Sequence, residues 1–211
     1  MKRLKRSAAS ALAAVAIMCG LFAVSASANL NWYFLSDGSG TVNAVNGPDG
    51  RFSVSWSGSG LFVAGKGWQR GLPDRVIRYT ADDFQADGNA LLTVYGWTRN
   101  PLVEYRIVDN WGDFRPVTAD YRGSVYSDGA WYDIYHAWRY NAPSIDGTQT
   151  FRQYWSVRQA KRPIGIDASV TLEEHVNAWA GAGMPAGSSW AHQILAIEGF
   201  SGTGQASVNV W

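Results

Sequence analysis

The chain has 211 residues, with 18 Lys and Arg against 17 Asp and Glu, a formal charge of +1. Its 11 Trp, 10 Tyr, 8 Phe and 23 Gly, set against only 17% charged residues, point to an all-β fold and away from a helical one. No basic run follows the first six residues, so nucleic acid is not an expected partner.

MKRLKR is a basic segment, SAASALAAVAIMCGLFAV is small and apolar, and Ala26-Ser27-Ala28 is an A-x-A cleavage pattern. Together they predict a secretory signal peptide over 1–28, cleaved after Ala28, and a secreted, extracellular protein. Met18 is too large for the position before a lipidated cysteine. Nothing after Ala28 is apolar for long enough to span a membrane, so no membrane contact is expected after cleavage. The remaining 183 residues (211 minus 28) suit a single domain, 29–211. Its charge is −3 (14 basic, 17 acidic), because the signal holds four basic residues and no acidic one. The only cysteine, Cys19, is also in the signal, so the domain must hold together by packing without a disulfide.

Short alternating segments then recur between turn residues. RFSVSW (51–56) sets Phe52, Val54 and Trp56 on one face. GLFVAGKGW (60–68), RVIRYTADDF (75–84), NALLTVYGWT (89–98) and NPLVEYRIVDNWG (100–112) follow. After them come YRGSVYSDG, AWYDIYHAWRY, TFRQYWSVRQ, WAHQILAIEGF and GQASVNVW. Strands at this spacing predict a sandwich, jelly roll or barrel. One segment departs from the pattern. In TLEEHVNAWAGAGM, Leu172, Val176 and Trp179 recur at helical spacing, Thr171 and Glu174 have capping-box spacing, and Gly181 and Gly183 end the run. One short helix is expected over about 172–182.

Strand parity gathers polar and aromatic residues on common faces. Tyr95 pairs with Trp97, Glu104 with Arg106, Gln153 with Trp155, and His192 with Glu198 and Phe200. Trp131, Asp133, Tyr135 and Arg139 form another such set. On a curved sheet such a face becomes an aromatic and polar trough suited to a glycan. The aromatics could equally fill a large β core. Glu104 and Glu198 each interrupt an apolar strand, and glycoside hydrolysis commonly uses two carboxylates. Pairing of each glutamate with a nearby arginine would explain them as well. His136, His175 and His192 show no metal-ligand spacing, and neither a nucleophile elbow nor a phosphate loop is present.

NPLVEYRIVDNWG, RYNAPSIDGTQTF, QYWSVRQAKR, HVNAWAGAGM, ILAIEGF, VNAVNG and VAGKGW resemble, in order, the family 11 glycoside hydrolases, endo-1,4-β-xylanases. The resemblance implies a jelly-roll sandwich of two curved antiparallel sheets with one helix. It implies retaining hydrolysis of internal β-1,4 bonds of xylan, without metal or cofactor, and a monomer is expected. Carried over by motif, Glu104 resembles the nucleophile and Glu198 the acid/base. Tyr95, Tyr105, Arg139, Gln153 and Trp155 resemble residues that bind the sugar chain. Pro143, Ser144 and Ile145 resemble the tip of a thumb that closes over it.

Five cleft positions depart from the family pattern: Leu35, Leu61, Arg106, His192 and Phe200. Leu35 stands for an aromatic platform, and Leu61 for the Asn or Asp beside the acid/base. His192 stands near the place where Tyr or another aromatic is usual, and Phe200 stands where Tyr is usual. Arg106 replaces the second Tyr of Glu-Tyr-Tyr. An arginine two residues along the same face can reach Glu104 and lower its pKa, while Leu61 would raise that of Glu198 by desolvation. Lowered, shifted or lost activity is one expectation, giving a protein that binds xylan without efficient turnover. The other is that Arg106 bends to solvent at little cost.

Overall fold

The computed structural model describes residues 30–211; the predicted signal segment, 1–28, lies outside the described residues. In chain order the elements are β1 (Asn31–Ser36), β2 (Thr41–Asn46), β3 (Arg51–Ser57), β4 (Phe62–Trp68), β5 (Val76–Asp87), β6 (Ala90–Arg99) and β7 (Val103–Trp111). They continue with β8 (Asp120–Ser127), β9 (Ala130–Ser144), β10 (Gly147–Arg158), β11 (Asp167–Thr171), α1 (Leu172–Gly181), β12 (Ser189–Gly199) and β13 (Thr203–Val210). All ten predicted strands form. β1, β2 and β11, which the alternation did not single out, lie at sheet edges where half-exposed side chains blur the pattern.

Two sheets build a jelly-roll sandwich. The larger has eight strands in the order β1-β4-β12-β6-β7-β10-β9-β8, and the smaller has five, β11-β5-β13-β3-β2. The expectation of purely antiparallel sheets needs one correction, because β10 runs parallel to β7. The meander β8-β9-β10 folds back so that its last strand, not its first, lies beside β7.

The core fills the space between the sheets. Phe52, Val54 and Trp56 of β3 point into it together with Ile77, Leu92, Tyr132 and Val208. Burying each such side chain stabilises the fold by roughly 1.5–3 kcal/mol, the main favourable term in a domain without disulfides. β7 is buried along its whole length, on both faces. One face meets the core, and the other meets the side chains that line the concave side of the larger sheet.

Helix α1 begins and ends close to the expected residues. Leu172 and Trp179 are fully buried, and Val176 is half-buried on the same stripe. The capping box does not form. Thr171 makes no side-chain cap, because Asp128 engages both its backbone N–H (2.7 Å) and its hydroxyl (3.1 Å). At the other end Met184 N–H donates to Trp179 C=O and Gly183 N–H to Ala180 C=O, with Gly183 at φ +74°. This Schellman closure needs the left-handed backbone that glycine adopts without steric penalty.

Candidate active site

The concave face is organised by register. β6 separates β7 from β12, so Glu104 and Glu198 project from strands on either side of it. Across the strands, Ile194 pairs with Tyr95, Tyr95 with Arg106, Arg106 with Trp155, and Trp155 with Tyr135. Arg106 therefore starts one pleat along from Glu104, and its long side chain spans β6 to reach Glu198.

The guanidinium binds both carboxylates. Its Nε donates to Glu198 Oε1 (2.9 Å) and Oε2 (3.1 Å). Its Nη2 donates to Glu198 Oε2 (2.8 Å) and Glu104 Oε1 (3.0 Å). Because one nitrogen touches both, those two carboxylate oxygens lie no more than 5.8 Å apart, the sum of 2.8 and 3.0 Å. The guanidinium also lies against the rings of Tyr95 (4.9 Å) and Trp155 (4.7 Å). Arg106 is only 5% exposed, so the expectation that it bends to solvent is not met. Its Nη1 is buried without a hydrogen-bond partner.

The two carboxyl groups differ in environment. Burial raises the pKa of Glu104, but Arg106, Gln153 and Tyr95 outweigh it and hold the group below the usual range. Gln153 Nε2 donates to Glu104 Oε2, and Tyr95 O–H donates to Oε1 at 3.1 Å. Trp97 Nε1 donates in turn to the Tyr95 hydroxyl (2.8 Å) and fixes its direction. Glu198 is completely buried, and burial pushes its pKa up against the opposing pull of Arg106. Two carboxyls driven apart in this way suit one group kept ionised and one able to hold a proton.

The other predicted residues divide. Tyr95, Gln153 and Trp155 join Glu104 and Arg106 on the concave face. His192 stacks on Tyr33 (4.9 Å) and packs against Tyr95 (5.6 Å), and burial lowers its pKa to about 4. Phe200 and Trp155 line a neighbouring cavity of about 340 Å³. Arg139 is exposed and makes no side-chain contact with the carboxylates. Leu35 and Leu61 are exposed, and the residue in register with Glu198 on β4 is Val63.

Tyr105 is a correction. As the neighbour of Glu104 in an extended strand it points to the opposite face. There it packs on Trp179 (5.7 Å) and Trp190 (5.5 Å) in the core, and its hydroxyl accepts from Gln193 Nε2 (3.0 Å).

Pro143, Ser144 and Ile145 lie at the tip of the β9–β10 hairpin. Ser144 Oγ donates to Gly147 C=O and accepts from Asp146 N–H, closing the turn. Ile145 packs against the buried cluster that includes Tyr95, Trp97, Ala142 and Phe151, while Asp146 pairs with Arg99 at the end of β6 (2.6 Å). The tip is thus fastened across the concave face.

Two residues not singled out as site candidates also belong here. The Tyr33 hydroxyl pKa is raised by burial and then by the charges of Glu198 and Glu104. Its position on β1, in phase with Leu35, was the available signal. Trp97 orients Tyr95, and its parity with Tyr95 was already visible.

Comparison with known proteins relates the whole fold to a family. The sequence profile of Glycosyl hydrolases family 11 matches residues 27–209. The chain is 52% identical to endo-1,4-beta-xylanase 3 of Pyricularia oryzae over 165 residues, 78% of this chain and 68% of that one. It is 46% identical to endo-1,4-beta-xylanase A of Schizophyllum commune over 184 residues, 85% of this chain and 92% of that one. A solved endo-1,4-beta-xylanase structure from Trichoderma reesei superposes with a TM-score of 0.77 at 39% identity, covering 86% of this chain and 97% of that one. The chain belongs to glycosyl hydrolase family 11.

Proposed function

We propose that the chain is a secreted endo-1,4-β-xylanase that cleaves internal bonds of xylan with retention of configuration. Glu104 attacks the anomeric carbon while Glu198 gives its proton to the departing xylosyl oxygen. Glu198 then takes a proton from water, and that water releases the sugar from Glu104. The observation that carries this reading is the closeness of the carboxylates, whose nearest bridged oxygens are within 5.8 Å. Retaining enzymes hold their carboxyls about 5–5.5 Å apart, whereas inverting ones leave room for a water at about 6.5–9.5 Å. Environment supports the roles as well: the lowered pKa of Glu104 suits a nucleophile, and the raised pKa of Glu198 suits a proton donor.

A second reading is favoured by Arg106. Its guanidinium lies on both reacting groups, and a protein so arranged would bind xylan while turning it over poorly. Incubation of residues 29–211 with xylan from about pH 4 to 9, alongside a Glu104→Gln control, separates the two. Release of reducing ends that the control lacks supports the enzyme. Binding without release supports the second reading, and absence of both overturns them together.

A further inference from the structure

This inference rests on the xylanase reading and concerns what controls the same site. Retaining chemistry requires a sugar carbon to come between Glu104 and Glu198. That space is taken. The Arg106 guanidinium bridges the two carboxylates through Nε and Nη2, and aromatic rings of Tyr95 and Trp155 pack against it. A sugar ring and this guanidinium exclude one another.

Two features make the seated position displaceable. First, Nη1 has no hydrogen-bond partner although it is buried. A buried donor left unmade is costly, so the seated state is stabilised less than its other contacts suggest. Second, Trp155 is also a wall of the cavity of about 340 Å³ that Leu91, Phe114, Arg115, Tyr135 and Phe200 help to line. That is many times the ~30 Å³ share of one liquid water. Arg115, the one cation in its wall, is already matched by Asp133 at 2.8 Å. Arg106 contacts Trp155 and so stands beside this room.

We infer that Arg106 is a gate on the bond-cleaving position. Seated, it fills the space of the reacting sugar and ties both carboxylates. Displaced along Trp155 toward the cavity, it clears that space and frees Glu104 to attack. Sugar and side chain compete, so binding and cleavage scale with the fraction of molecules in which Arg106 has moved aside.

The test compares the parent with Arg106→Tyr and Arg106→Gln. Each is assayed for xylan cleavage and for xylotriose affinity by calorimetry, after circular dichroism has shown which variants fold. Two replacements of different size guard against one that fails to fold. Opening the gate is expected to raise kcat/KM and xylotriose affinity by about tenfold or more, because the competent fraction multiplies both. A structure of the parent with xylotriose is expected to show Arg106 withdrawn from Glu104. Equal cleavage and affinity in parent and folded variants would overturn the gate while leaving the xylanase reading intact. So would xylotriose seated between the carboxylates with Arg106 unmoved. Loss of binding and cleavage in every folded variant while the parent retains them would overturn the gate alone; failure of parent and folded variants alike would overturn both.

Discussion

At Arg106 a single cation acts on both carboxyls. It lowers the pKa of Glu104 and opposes the rise that burial imposes on Glu198. The groups around it are Glu104 on β7, Tyr95 on β6, Glu198 on β12 and the neutral Gln153 and Trp155 on β10. Removing the positive charge raises both carboxyl pKa values. In the proposed roles Glu104 acts ionised, so the acid limb of kcat/KM moves to higher pH, and Glu198 acts protonated, so the alkaline limb moves the same way. Arg106→Gln is therefore expected to displace the whole pH–rate profile toward alkali, and a profile that stays in place would contradict this account. The pairing of Glu104 with Arg106 was legible in the sequence, since i and i+2 share a strand face. The contact with Glu198 was not, because 92 positions separate the partners and only the strand order brings them together. Tyr105 shows the converse. A family motif suggested sugar contact, although parity alone set its side chain against the core.

Among the elements, the β9–β10 hairpin brings its tip against the Tyr95 and Trp97 cluster. Its tip is held by the Arg99–Asp146 pair, whose side chains are both about 40% exposed (41% and 39%). Such a pair contributes about 1 kcal/mol or less. Asp146→Ala is therefore expected to leave Tm almost unchanged while speeding amide exchange at residues 144–147, which hydrogen-exchange mass spectrometry would read. The hairpin's turn was legible from Pro143 and Asp146-Gly147, but its reach was not. β9 and β10 run to Ser144 and from Gly147, leaving only Ile145 and Asp146 between them. The helix was legible from its apolar stripe and terminal glycines. Its start was legible too, but the capping box was misread because Asp128, distant in sequence, took over Thr171.

For the whole molecule, acid is the weak side. His175 is fully buried in α1, against Tyr132 (4.9 Å) and Trp179 (6.4 Å), and both ring nitrogens lack hydrogen-bond partners. Burial lowers its pKa to about 3. Unfolding returns it to the ordinary histidine range of about 6.5, so the unfolded chain binds the proton more readily. The stability it permits is fully present above pH ~6.5 and is lost as pH falls toward its folded pKa, at about 1.4 kcal/mol per pH unit. His192, lowered to about 4, acts in the same sense over a narrower window. His175→Phe is expected to flatten the fall of Tm below pH ~6 relative to the parent. Parallel Tm–pH curves for the two proteins would refute that. An all-β sandwich was legible from composition and spacing, whereas the insertion of β10 beside β7 was not, because nothing local distinguishes a parallel neighbour from an antiparallel one.

That insertion has a consequence for how the protein comes into being. β7 leaves the chain early with Glu104, yet the strand that supplies Gln153 to it arrives 49 residues later, after a complete meander. Glu198 follows later still, beyond the helix. Pairings of such high contact order are reached slowly, on a scale of roughly milliseconds to seconds, because loop closure must precede any gain from contact. A nascent chain can thus form its local hairpins while Glu104 and Glu198 are still apart. In the proposed roles, hydrolytic competence is then a property of the last contacts made.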